Sequence, residues 1–210
     1  WGASIGPFEG YPQAKTAFID HLKHTDLITS REPATTKYLK SLGIKNVIEC
    51  ADPAFTVTTK KDVKKNDLNP KLHIGINLSP LSTISIFKSD IDNVIKKQAE
   101  LITFIVKELD AHVTLIPHVV SNFDVNDDDL RYLKLVKSQI NAEVIDQVDL
   151  IEDDVGFIGT NQILSSCDVV IAARMHCAIN ALSIGVPTIF LAYSRKAYGM
   201  AEYIYGDDKW

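Results

Sequence analysis

The chain has 210 residues, enough to bury a full α/β core, and its 46% apolar and 23% charged residues exclude a disordered or fibrous protein. A formal net charge of -5 excludes a general attraction to nucleic acid but leaves room for a local cationic pocket that takes a small anion. No uninterrupted apolar run reaches the roughly 18 to 20 residues that span a bilayer, and the first residues carry no signal-peptide pattern.

Residues 1–5 read as a short strand entering a tight turn at Gly6 and Pro7. Apolar residues at 14, 18, 19 and 22 predict a helix over 12–25. DLITS at 26–30 predicts a strand, and Pro33 fits the first turn of a helix over 33–42 that Gly43 would cap. Residues 46–49 predict another strand, and ADPAF at 51–55 a structured loop. The lysine-rich stretch 58–71 predicts a surface connection and a boundary between a small N-terminal portion and a main domain.

From residue 72 strands and helices alternate. HIGINLS (73–79), VTLIPHV (113–119), AEVID (142–146), DVVIAA (168–173) and VPTIFLA (186–192) predict strands. Helices are predicted over 90–109 (apolar at 91, 94, 95, 99, 102, 104, 105 and 109), over 126–139 with Asn126 or Asp127 as cap, over 161–166, and over 176–185. Nearly continuous apolar strands alternating with helices predict an α/β fold with a doubly wound parallel sheet covered on both faces. Ligands of such sheets sit beyond the carboxyl ends of the strands. That rule singles out residues 77–79, 117–121, 173–176 and 192–196.

The strongest local pattern is DVVIAARMHCAINALSIG, in which a buried strand runs into Arg174, Met175 and His176 as a helix begins. Unpaired backbone N–H groups and the helix dipole favour an anion there. An arginine adds a planar fork for carboxylate or phosphate, and a histidine adds a proton carrier near neutral pH. A structural salt bridge for Arg174 and a polar-cap role for His176 fit the same pattern. His118 ends a strand on the same side. Arg31 repeats the logic of Arg174 after DLITS, with an ion pair to Glu32 or another surface acid as its plainer role. Lys196, with Arg195, follows FLAYS at the crevice rim. The other histidines suggest no role.

Several chemistries lack their fingerprints. There is no G-x-G-x-x-G, no P-loop and no G-x-S-x-G elbow. The acidic run DVNDDDL (124–130) lacks EF-hand spacing and reads as a solvated, acid-rich helix start, so no metal site is expected. Cys50, Cys167 and Cys177 form no metal pattern, and their apolar surroundings suit buried thiols in a cytoplasmic protein.

WGASIGPF (1–8), SRE (30–32), ADPAF (51–55), IGINLSP (74–80), IPH (116–118) and ARMHCAINALSIGVPTIFLAYSRKAYGM (173–200) together resemble the polysaccharide pyruvyl transferase family. The last block is the most specific, with its R-[LM]-H segment, G-V-P turn and K-x-x-G end. The resemblance implies a GT-B-type enzyme with two Rossmann-like domains and its active site in the cleft between them. Residues 1–71 would then be a remnant of the first domain with a connecting region, and 72–210 the Rossmann-like C-terminal domain carrying the Arg-Met-His anion site. It also implies phosphoenolpyruvate as donor substrate, no separate cofactor, and a saccharide acceptor, free or lipid-linked, whose hydroxyls receive pyruvate as a cyclic ketal. A cytoplasmic location, or one peripheral to the inner face of the membrane, goes with that chemistry. By this resemblance Arg31 and Arg174 contact the donor's anionic groups, and His176 contacts phosphate or acts as acid or base. His118 is a second polar contact, and Lys196 lies near the anion or the acceptor. A GT-B glycosyltransferase, a sugar-nucleotide epimerase and a non-catalytic anion-binding domain remain as alternatives.

Overall fold

The computed structural model describes residues 2–56, 71–87, 90–193 and 195–206. The chain divides into two compact units: Trp1–Val57 together with Ser194–Trp210, and Thr58–Tyr193. This differs from a division at residue 71, because the C-terminal segment belongs with the beginning of the chain. The lysine-rich connection falls almost entirely outside the described residues.

The first unit contains α1 (Pro12–Lys23), β1 (Ile28–Ser30), α2 (Pro33–Ser41), β2 (Val47–Glu49) and the C-terminal α8 (Arg195–Tyr205). β1 and β2 pair in parallel. The strand expected over residues 1–5 is reduced to a single bridge between Ala3 and Ser30. Leu22, Ile28, Leu39, Ile44 and Val47 form the core of this unit. Gly6 has φ +82°, and a Cβ there would lie 2.2 Å from Tyr38 Cε1, so both the turn and the tyrosine require glycine. α8 was not expected from the sequence. It packs on α2, with Gly199 facing Ala34 and Glu32.

The second unit carries β3 (His73–Asn77), α3 (Pro80–Phe87), α4 (Ile91–Leu109), β4 (His112–Leu115), α5 (Asp129–Ser138), β5 (Val148–Leu150), α6 (Gly156–Ser166), β6 (Val169–Ala172), α7 (Met175–Ser183) and β7 (Thr188–Phe190). Its five strands pair in parallel in the order β5-β4-β3-β6-β7. The chain order therefore reverses between β3 and β6, the switch point at which doubly wound sheets open a crevice. Strand alternation sends side chains to two separate cores. Ile74 and Ile76 join α4 and α5 residues such as Ile102 and Leu133 on one face. Val170 and Ala172 join Leu164, Cys177 and Ala181 of α6 and α7 on the other. Gly75 points to this second face, where a Cβ would lie 2.9 Å from Cys167 Sγ and 3.0 Å from Ile116 Cδ1.

Three details differ from expectation. The third strand of this sheet lies at 148–150, not 142–146: Val148 pairs with Val113, while residues 145–147 form a 3-10 turn. The run VIDQVDLI offers two valines four residues apart, Val144 and Val148, and only pairing with β4 selects between them. On α4, Phe104 and Leu109 are exposed while Val106 is buried. At 100° per residue Phe104 falls on the side opposite Ile102. Of the three cysteines, Cys167 and Cys177 are buried and Cys50 is only partly covered.

Candidate anion site at the switch point

Asn77 and Arg174 stand at the carboxyl ends of β3 and β6, on either side of the switch point. Asn77 has no exposed surface. Its Nδ2 donates to the Ile116 carbonyl at 2.9 Å and to Asp129 Oδ2 at 3.2 Å, while its Oδ1 accepts the Arg174 backbone N–H at 2.9 Å. One amide side chain thus ties together the ends of β3, β4 and β6. Two residues on, Ser79 is also fully buried, and its Oγ has no hydrogen-bond partner among the described residues.

Arg174 is the N-cap residue of α7 and makes no side-chain cap bond. The positive end of the α7 dipole therefore carries no cap from the Arg174 side chain. The guanidinium instead meets two carboxylates. Nε lies 3.0 Å and 3.3 Å from the two oxygens of Asp129, and Nη2 lies 2.8 Å from Asp129 Oδ1 and 2.6 Å from Asp127 Oδ1. The Arg174 side chain is 11% exposed, Asp129 0% and Asp127 41%. Burial works against charge on Arg174, but the bonds to Asp129 and then to Asp127 outweigh it and raise its pKa. The salt-bridge alternative is therefore realised on the side-on edge of the fork, while Nη1 makes no hydrogen bond among the described residues.

Asp129 is the hub of the site. Besides Arg174 and Asn77 it accepts the backbone N–H groups of His118 and Val119, each at 3.1 Å. The burial of this carboxylate is thus matched by hydrogen bonds to it. The expectation of a uniformly solvated acidic run is corrected here: Asp128, not Asn126 or Asp127, caps α5, and Asp129 faces inward. The sequence did carry a signal for this. Asp129, Leu133, Val136 and Ile140 recur at 4, 3 and 4 residues, so the acid occupies the apolar stripe of α5.

His118 lies half-buried beside this hub, and its Nδ1 is buried without a partner among the described residues. Burial pushes its pKa down to about 4, Asp129 opposes the fall, and charge on His176 and Arg174 adds to it. The imidazole is therefore neutral near pH 7. His118 also lines a pocket of about 400 Å³ formed by residues 117–120, 153–157 and Thr160. His176, the second residue of α7, is exposed to solvent. The structure thus brings Arg174, His176 and His118 together at one end of one sheet.

Arg31 belongs to the other unit. Its Nε donates to Ser4 Oγ at 3.0 Å and its Nη1 pairs with the buried Asp52 carboxylate at 3.0 Å. Its acid is thus Asp52 of ADPAF, rather than the neighbouring Glu32, whose Oε1 accepts from Thr35 at 2.7 Å. Lys196 lies in α8 of this first unit, and its side chain is outside the described residues. Among the described residues no cluster of His, Cys, Asp and Glu is arranged to hold a metal ion, and no helix is long and apolar enough to cross a membrane.

The sequence profile described as polysaccharide pyruvyl transferase matches residues 1–195. The chain belongs to that family. Among solved structures it is similar to the crystal structure of Methanocaldococcus jannaschii UDP-GlcNAc 2-epimerase in complex with UDP-GlcNAc and UDP, at 11% identity and a TM-score of 0.48, over 80% of this chain and 45% of that one. It is also similar to the wall teichoic acid polymerase TagF, at 14% identity and a TM-score of 0.41, over 97% of this chain and 48% of that one. The chain therefore spans a little under half the length of either. No curated protein matches it. The match includes the segment Ala173–Arg174 that joins β6 to α7.

Proposed function

We propose that this chain is part of an enzyme that transfers the pyruvyl group of phosphoenolpyruvate to two hydroxyls of a cell-surface polysaccharide or its precursor, forming a cyclic ketal. In this reading it supplies a Rossmann-like domain of a GT-B-type enzyme working at the cytoplasmic side, and needs no separate cofactor. The observation that carries the reading is Arg174 at the start of α7, at the switch point, in a chain matched by the pyruvyl transferase profile.

The donor presents a carboxylate and a phosphate, which call for a guanidinium fork and helix-terminal amides. Its methylene carbon must gain a proton, and the attacking hydroxyl must lose one. His176, exposed beside Arg174, is the group assigned to phosphate contact or proton transfer. His118, held neutral, supplies a second polar contact. Positive charge near the departing phosphate lowers the barrier to its loss. Arg31 and Lys196 are assigned to the donor anion and to the anion or acceptor, respectively.

The test is calorimetric titration of phosphoenolpyruvate, with phosphate release measured in the presence of saccharide acceptors. The native full-length protein is compared with its Arg174→Ala and His176→Ala variants. Affinity or turnover should fall by an order of magnitude or more, roughly the loss expected for a charged contact. Unchanged values in both variants would overturn the assignment.

A further inference from the structure

We propose that the two carboxylates on Arg174 have opposite roles: Asp129 is its permanent anchor, and Asp127 is a competitor that an anionic donor must displace. The inference rests on the phosphoenolpyruvate reading and adds a residue that sets donor affinity.

A guanidinium offers two edges to a bidentate anion, the Nε–Nη2 side and the Nη1–Nη2 end. Asp129 takes the side edge, with contacts of 3.0 Å to Nε and 2.8 Å to Nη2. It has no exposed surface and also accepts from His118, Val119 and Asn77. Moving it would strand all of these donors.

Asp127 differs on each count. It ends the short 3-10 turn Val125–Asp127, is 41% exposed, and its carboxylate bonds only Arg174 among the described residues. With one Nη2 hydrogen on Asp129, the hydrogen on Asp127 is the one that points along the end edge. Nη1, the other half of that edge, makes no hydrogen bond among the described residues. Asp127 therefore occupies half of the edge on which a donor carboxylate or phosphate would seat. It also leaves two negative charges facing one positive charge, which repels an incoming anion. Water screens a partly exposed pair, so the carboxylate is released at little cost. The arrangement favours a ligand charged strongly enough to evict a carboxylate, a phosphate ester over a simple monoanion.

The experiment titrates phosphoenolpyruvate into the native full-length protein and its Asp127→Asn, Asp127→Glu, Asp129→Asn and Arg174→Ala variants, with a thermal melt of each. Removing one repelling charge about 6 Å from the anion should tighten binding roughly three- to tenfold in Asp127→Asn. Asp127→Glu, which keeps the charge, should stay near the parent. Asp129→Asn should bind more weakly. Should that variant fail to fold, the two Asp127 variants decide alone. Loss of binding in Arg174→Ala with no tightening in Asp127→Asn would overturn the competitor role and leave the donor reading intact. Binding that ignores Arg174→Ala, or no binding to the parent chain, would overturn both.

Discussion

Replacing Asp129 by alanine removes the acceptor for two Arg174 nitrogens, two backbone amides and one asparagine amide at a site with no solvent access. The Arg174 guanidinium, 11% exposed, would keep only Asp127. Breaking a buried pair from one side costs about 3–5 kcal/mol, because the stranded charge keeps its desolvation penalty. For a chain of this size each kcal/mol lowers the melting temperature by about 2–4 °C. The expected loss is therefore roughly 6–20 °C, read by circular dichroism and by the shift in urea midpoint. Asp127→Ala is the internal control: its partner sits on a partly exposed carboxylate, and about 1 kcal/mol or less should be lost. A double change to Asp129→Leu and Arg174→Met should recover only the part of the loss due to the stranded charge, since the His118 and Val119 amides still lack their acceptor. An Asp129→Ala loss no larger than that of Asp127→Ala would refute the picture of a buried hub.

His118 should titrate near pH 4 in an NMR pH series, well below an ordinary histidine at 6.5. The unfolded chain gains this proton as pH falls through 6.5, and the folded chain refuses it until about 4. The associated stability is thus present above pH 6.5 and lost between 6.5 and 4, so His118→Gln should flatten the stability profile in that window. Gly75→Ala should cost about 1–3 kcal/mol by overpacking against Cys167 and Ile116, and adding Cys167→Ala should restore part of it in a thermal melt. A thiol reagent should modify Cys50 quickly. It should leave Cys177 and Cys167 untouched until urea unfolds the chain, because both are buried and burial pushes the Cys167 thiol up to about 12.

Much of the second unit could be read from periodicity alone. The stretches at 73–77 and 169–172 read as buried strands, and the stripe at 94, 95, 99 and 102 as a buried helix face, as the structure has them. The Arg-Met-His junction was legible for the same reason: a strand end followed at once by a helix start places those residues at the crevice. β5 was misplaced by several residues because Val144 and Val148 are both buried, at 3% and 2% exposure. Local pattern cannot separate two apolar residues one helical turn apart. α8 was missed because it covers α2, far away in the sequence.

The sequence by itself determined the α/β class, the parallel sheet and the strand end that carries Arg174 and His176. These follow from hydrophobic period and from where strands stop, which are local properties. Only the tertiary structure decided what Arg174 touches. Asp127 and Asp129 are neighbours in an acidic run, yet one is 41% exposed and the other wholly buried. That difference arises because α5 turns Asp129 into the sheet ends, where Asn77 and two β4-end amides complete its shell. Burial raises the strength of a charge contact and the penalty for leaving it unpaired, so the partners of a charge are settled by the fold around it.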